Sequence, residues 1–415
     1  MDALTNPFNP GAGSKPPQLA GRDQILARAQ LALRRLKAGH SVRGQLLLGL
    51  RGVGKTVLLT AIQRMAESEG LLPVSLEIPE DQRLAQALAP ALRSALYTLS
   101  RVAKAQALAM QGLAVIGNFV RAFRLNMVTG EVGIDAEHVR GIADSGDLET
   151  DLPALCMMVA QAAKAAGTPV VLLVDELQYL REEDLRALIV SVHKVTQQDL
   201  GLTLFGAGLP QLAALAGAAK SYAERLFEYV AVGPLDLPGA REAIALPVRA
   251  GGADITPEAL EAIAAQTEGY PYFLQEWGKQ TWDVAPGPQI QAADVEAASA
   301  ITLSDLDGGF FRVRYDRLTP AERDYLRAMA HLGSGPHRSG AIAQALGVGV
   351  SAVGALRSTL ITKGMIYSPA HGDTAFTVPM FDAFMRRAMP EWTAEQAMPK
   401  HTASRGVVNT KRHRP

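Results

Sequence analysis

Gly49-Leu50-Arg51-Gly52-Val53-Gly54-Lys55-Thr56 fits the spacing G-x-x-x-x-G-K-[ST], in which glycines let a loop wrap closely around phosphate oxygens. The short apolar run Gln45–Leu48 precedes it and reads as a buried parallel strand, while the stretch from Lys55 to about Glu69 reads as a helix. Strand, loop and helix in that order aim backbone N–H groups at an anion, and the helix N-terminus adds partial positive charge. The nucleotide-contacting candidates are therefore Gly49, Arg51, Gly52, Val53, Gly54, Lys55 and Thr56. Lys55 is expected to reach the β- and γ-phosphates of ATP, and the Thr56 hydroxyl to ligate Mg²⁺.

A second element carries the matching chemistry. Val170–Val174 is an uninterrupted β-branched and leucine run, which delivers Asp175 and Glu176 at its C-terminal end. Asp175 is suited to hold Mg²⁺, and Glu176 to orient and deprotonate an attacking water. Further strands are expected at Leu72–Ile78 and Leu202–Phe205. Helices are expected over Arg22–Lys37, Asp81–Val120 and Asp151–Ala166, with a hairpin at Phe123–Asp135. Strands alternating with helices predict an α/β fold: an αβα P-loop core whose mostly parallel sheet is covered on both faces.

The alternation stops after Pro234. We expect an extended N-terminal arm over 1–20, the core over 21–235 with an insertion at about 81–150, and a helical lid over 236–300. A linker over 301–317 then leads to a winged helix-turn-helix over 318–390 and a basic tail over 391–415. The start of the last domain is marked by Thr319 as N-cap, Pro320 in the first turn and Glu322 as capping partner. Helices at Ser339–Leu346 and Ser351–Lys363 flank the turn Gly347-Val348-Gly349, and Met365–Val378 alternates like a two-stranded wing.

Composition narrows the remaining classes. The chain has 415 residues, 48% hydrophobic and 20% charged, a globular balance that excludes collagen-like or disordered sequence. One cysteine, Cys156, permits neither an internal disulfide nor a cysteine zinc cluster, so a reducing cytoplasm is expected. No secretion signal or membrane-spanning run is legible: Leu200–Ala219 lacks charge but is broken by Gly206, Gly208 and Pro210. The eight histidines show no metal-ligand spacing, so no metal beyond Mg²⁺ is expected. Lys plus Arg balance Asp plus Glu at 41 each, yet the chain from Arg317 onward carries 13 basic and 6 acidic residues. A basic C-terminal quarter on an acidic remainder points to two jobs on one chain.

Several motifs together resemble the AAA+ ATPases of the origin-recognition-like group, which are themselves similar to the STAND signal-transducing ATPases. They are Pro16-Pro17-Gln18-Leu19-Ala20-Gly21-Arg22-Asp23, the Gly49–Thr56 loop, Asp175-Glu176, Gly206-Ala207-Gly208-Leu209-Pro210 and Gly269-Tyr270-Pro271-Tyr272-Phe273-Leu274-Gln275. The resemblance implies ATP hydrolysis, a homo-oligomer or protein partner, and Leu19 and Arg22 placed near the adenine. It also implies an arginine finger at Arg225, a role that suits the planar guanidinium fork.

Two departures stand out. Such ATPases end the strand before Gly206 with a polar sensor, where this chain has Gly206, Ala207 and Gly208, leaving Gln178 as a substitute. The lid helix at Tyr270-Pro271-Tyr272 also lacks the usual arginine. Hydrolysis is thus expected to be slow or partner-stimulated.

The leading functional expectation is a nucleotide-dependent switch or loader that binds double-stranded DNA through the winged helix, with Arg357, Ser351, Ser358 and Lys363 on the second helix and Arg338 and His371 at the wing. The alternative is a STAND-like signalling or defence ATPase whose winged helix binds protein. No membrane partner is expected.

Overall fold

The computed structural model describes all residues except 12, 15, 81, 126–140 and 394–415. It divides into two compact units, Met1–Asp305 and Leu306–Pro415.

The first unit opens with α1 (Asp23–Lys37), β1 (Gly44–Leu48), α2 (Lys55–Ser68) and β2 (Leu72–Glu77). Then follow α3 (Leu84–Ser100), α4 (Gln106–Ala122), α5 (Leu148–Ala166), β3 (Val170–Asp175), α6 (Glu182–Gln197) and β4 (Leu202–Gly208). The short helices α7 (Leu212–Ala219) and α8 (Ala223–Leu226) lead to β5 (Phe227–Ala231). The five strands form one parallel sheet in the order β2-β3-β4-β1-β5.

Because strand side chains alternate between faces, each strand feeds two cores. Leu46, Leu172, Val174, Leu202 and Leu204 pack on one side with α3 to α6. Leu47, Val171, Leu173, Phe205 and Val230 pack on the other with α1 and α2. Every residue of β3 and β4 is buried, which is why both read as continuous apolar runs rather than as alternation. This is the three-layer P-loop NTPase architecture expected from the sequence. The edge strand β5 was not legible there: its Phe-Glu-Tyr-Val-Ala pattern is only half buried.

Cys156 lies on α5 at 0% exposure, where burial pushes its thiol up to about 12. Such a thiol is unreactive while the helix stays packed.

The expected hairpin falls mostly outside the described residues; its first residue, Phe123, closes α4. The region expected as a helical lid holds α9 (Leu237–Ala250), β6 (Asp254–Ile255), α10 (Pro257–Thr267), α11 (Pro271–Val284), β7 (Gln289–Ile290) and α12 (Ala292–Asp305). Trp277 and Trp282 are buried in it, and the Trp277 indole donates to Ser299 Oγ at 2.9 Å.

The N-terminal arm does not stand free. Asn6 donates to Lys279 O at 3.0 Å and to Asp283 Oδ1 at 2.8 Å, the Trp282 indole donates to Asp2 O, and Phe8 is buried against Gly278. Pro/Gly punctuation revealed neither the short 3₁₀ helix at Ala3–Thr5 nor that α11 supplies partners for the arm.

The second unit contains a π-helical turn at Leu306–Phe311 and then α13 (Arg312–Asp316) and α14 (Pro320–Leu332). Next come β8 (His337–Arg338), α15 (Ser339–Ala345), α16 (Val350–Thr362), β9 (Ile366–Tyr367), β10 (Asp373–Phe376) and α17 (Phe381–Ala388). Its small sheet runs in the order β8-β10-β9. Thr319 and Glu322 form the capping box expected at α14. Lys411, Arg412 and Arg414 of the basic tail lie outside the described residues. No single helix among the described residues is long and apolar enough to cross a membrane.

Candidate nucleotide site

The phosphate loop begins where β1 ends. Gly49 sits so close to the neighbouring chain that a Cβ there would fall 2.1 Å from Val232 O, and Gly52 and Gly54 adopt φ of +81° and +91°. Both left-handed positions favour glycine, so the spacing is dictated by backbone geometry.

Gly54 caps α2, whose first residue is Lys55. The ammonium of Lys55 is 7% exposed and donates to Gly49 O at 3.0 Å and Leu50 O at 2.9 Å. Burial lowers its pKa, with the nearby Glu176 and Asp175 carboxylates opposing that effect. The lysine thus lies folded over the very loop that would receive phosphates.

Thr56 Oγ1 donates to Asp175 Oδ2 at 2.6 Å, joining the loop to the end of β3. Asp175 is 8% exposed, and desolvation raises its carboxyl pKa despite the Thr56 hydrogen bond. These two oxygens fit Mg²⁺, a hard cation that takes one or two protein ligands and completes its shell with phosphates and water. No cluster of three or more His, Cys, Asp or Glu among the described residues forms a separate metal cage.

Glu176 follows with φ of +57°, a left-handed conformation uncommon for a glutamate, and its N–H donates to Asp175 Oδ1 at 2.8 Å. The Gln178 amide hydrogen-bonds the Glu176 carboxylate, while its carbonyl oxygen accepts from Leu209 N–H at 3.1 Å. Gln178 therefore fills the space where a side chain from the end of β4 would stand. A Cβ on Gly208 would lie 2.9 Å from Gln178 Oε1 and 2.8 Å from Leu212 Cδ2. One on Gly206 would lie 2.3 Å from Leu177 Cδ1 and 2.7 Å from Leu46 Cδ2. The absence of a polar sensor at these positions thus has a steric cause. Gly206→Val is expected to lower unfolding free energy by about 1–3 kcal/mol through overpacking, read as a shift in urea midpoint; an unchanged midpoint would contradict the close packing.

The other candidates are more structural than the sequence suggested. Arg51 donates to the Tyr179 hydroxyl, which donates onward to Glu80 Oε1 at 2.9 Å, so its guanidinium is tied to the neighbouring loop. Burial is the main cause that lifts the Tyr179 phenol to about 12. The Val53 side chain is buried in the core at 1% exposure, leaving its backbone for the loop. Arg22 donates to Val53 O at 3.1 Å and Gly233 O at 2.6 Å, so it bolts the loop to the segment after β5. Leu19 lies half-buried just before α1. Arg225 is exposed on α8 and forms no ion pair among the described residues; Glu228, a natural partner by sequence, pairs with Arg28 at 2.7 Å.

One contact escaped sequence reasoning. Tyr272 N–H, in the first turn of α11, donates to Gly52 O at 3.1 Å and so joins lid to phosphate loop. First-turn amides of a helix have no intrahelical acceptor, and this one bonds the loop carbonyl instead. The visible signal was Pro271, a helix-start residue immediately before it.

The class defined by this fold and site is the P-loop NTPase. Residues 18–205 match the family model described as the AAA ATPase domain, and residues 308–385 match a domain of unknown function, DUF8462. The chain is similar in structure to the Walker-type ATPase of Pyrococcus abyssi, at 18% identity and a TM-score of 0.56, covering 88% of this chain and 95% of that one. It also aligns with the Aeropyrum pernix Orc1 protein in complex with DNA, at 14% identity, TM-score 0.45, and 91% and 94% coverage. The Thermotoga maritima RuvB Holliday junction branch migration motor aligns at 16% identity, TM-score 0.43, and 88% and 96% coverage. At 18% identity the likeness to the Pyrococcus abyssi ATPase is one of fold. No curated protein sequence matches the chain.

Proposed function

We propose that the chain is an ATP- and Mg²⁺-dependent switch: nucleotide bound at Gly49–Thr56 alters the lid through the Tyr272–Gly52 bond and is hydrolysed slowly with Glu176 as general base. The observation that carries this reading is the convergence of Lys55, Thr56, Asp175 and Glu176 at the C-terminal ends of β1 and β3, where open α/β sheets bind ligands. Lys55 would leave the loop carbonyls for phosphate oxygens, Thr56 and Asp175 would share the cation, and Glu176 would take a proton from the attacking water. Gln178, whose amide bonds the Glu176 carboxylate, would orient that base.

The C-terminal unit is the output module, and its geometry favours a protein partner. On α16 the Arg357 guanidinium is occupied internally, donating to Thr374 Oγ1 at 2.9 Å, Ser368 Oγ at 2.8 Å and Asp373 O at 3.0 Å. Lys363 pairs with Glu322 at 2.8 Å. The exposed face of α16 is then Val350, Ser351, Ala352, Ala355, Ser358, Thr359 and Thr362, which carries no charge. A helix that reads DNA in the major groove needs side chains free to reach base edges, most often arginine at guanine.

The DNA reading keeps one specific support. Residues 317–390 carry 8 basic and 4 acidic side chains, and Arg338 at the wing is 74% exposed although paired with Asp373. The two readings separate in a titration of double-stranded DNA with ATP, with ADP and without nucleotide across a salt series. Phosphate contacts require affinity to fall steeply as salt rises. Absence of binding at low salt leaves the protein-partner reading standing; tight, steeply salt-dependent binding overturns it.

Arg225 is assigned as a finger acting on a neighbouring subunit. Specific ATPase activity should rise with protein concentration, and Arg225→Ala should flatten that rise while ATP affinity stays nearly unchanged. Lys55→Ala subunits should then rescue Arg225→Ala subunits in mixtures that co-assemble by sizing. No rescue in such mixtures removes Arg225 from the mechanism.

A further inference from the structure

Outside the nucleotide site, a cavity of about 740 Å³ opens along one face of α3, bounded on its far side by Arg124 and Leu125. Gln86, Arg93, Tyr97 and Arg101 line it at helical spacings that keep them on a single face. Arg93 and Arg101 are eight residues apart, roughly 12 Å along the axis, and Arg124 faces the same space from the end of α4. The site thus gathers three guanidinium groups.

None of the three forms a salt bridge with a described residue, and no described carboxylate lines the cavity. Neighbouring arginines behave differently: Arg83 pairs with Glu183 and Arg186 with Glu182. Arg93 instead lies over the Tyr97 ring, 5.5 Å from its centroid. The Tyr97 hydroxyl is buried and has no hydrogen-bond partner. Tyr97 lines the cavity, but this hydroxyl does not open onto it.

We propose that this cavity is a second ligand site, for a small polyanion bearing phosphate groups. Its volume lies within the range of small-molecule sites, roughly 300–1,000 Å³. Three guanidinium forks demand several negative charges in one ligand, which a polyphosphate supplies compactly and with matching bidentate geometry. Gln86 and the arginines would hold the phosphate oxygens, with the Tyr97 ring backing Arg93. The site is separate from the phosphate loop and does not depend on the ATP reading.

The test uses full-length Lys55→Ala protein, in which the phosphate loop is disabled, and inorganic tripolyphosphate without Mg²⁺ in a calorimetric titration. One equivalent per chain should bind. Arg93→Gln and Arg101→Gln should each weaken binding about tenfold, as expected for loss of a charge-assisted hydrogen bond. Arg312→Gln, which removes an exposed arginine of the second unit, should leave it unchanged. Melting curves identify folded variants; should Arg93→Gln fail to fold, the exposed Arg101 and Arg124 provide the same readout. Absence of binding, or equal loss with Arg312→Gln, overturns the proposal. Much tighter binding of a single-stranded DNA 12-mer or a polyglutamate peptide through the same arginines overturns the small-ligand assignment.

Discussion

Lys55→Ala should weaken ATP binding by at least about 100-fold, because several charge-assisted contacts to the β- and γ-phosphates vanish together. The same change should also lower thermal stability. Lys55 is buried and supplies donors to Gly49 O and Leu50 O, and losing them costs about 1–2 kcal/mol. The sequence gives no hint of this second effect, since a lysine in a glycine loop reads as solvated. Calorimetric titration with ATP, paired with a melting curve, separates the two consequences. A folded variant with unchanged ATP affinity would remove the Gly49–Thr56 loop from nucleotide binding altogether.

Glu176→Gln should leave ATP and Mg²⁺ bound while slowing hydrolysis about 10²- to 10⁴-fold, the usual contribution of a positioned general base. The amide preserves shape but cannot accept the proton. Single-turnover phosphate release, followed at several protein concentrations, reads the effect. Because Gln178 bonds the Glu176 carboxylate, Gln178→Ala provides a companion: it frees the glutamate and should change turnover without changing ATP affinity. Equal rates in the parent and Glu176→Gln would mean that the catalytic base lies elsewhere.

These expectations trace how far the sequence alone reaches. Gly49, Gly52 and Gly54 were legible because backbone conformation permits little else, and β3 because a strand buried on both faces must be apolar throughout. Contacts made at a distance were not legible. Arg51 has the position of a phosphate ligand, yet the Tyr179 hydroxyl captures it, and only folding brings residues 128 positions apart together. Arg357 and Lys363 likewise have the positions of DNA contacts on α16. Their bonds to Thr374, Ser368 and Glu322 depend on how the small sheet and α14 pack against that helix. The glycines at 206 and 208 looked like a missing sensor until Gln178, Leu177 and Leu212 were seen to occupy their surroundings. Charge and glycine patterns thus point to a candidate phosphate loop, but they do not reveal which cations the fold has already paired.

The central claim is that nucleotide in the phosphate loop changes the lid, and amide hydrogen exchange tests it most directly. The segment to follow is Gly269–Gln275, which contains the Tyr272 N–H bonded to Gly52 O. Mg²⁺-ATP should change exchange in this segment and in Gly52–Thr56 relative to nucleotide-free protein, ADP should give a different lid pattern, and Lys55→Ala should abolish both responses. Unchanged exchange at Gly269–Gln275 in protein shown by calorimetry to be saturated with ATP would contradict the account.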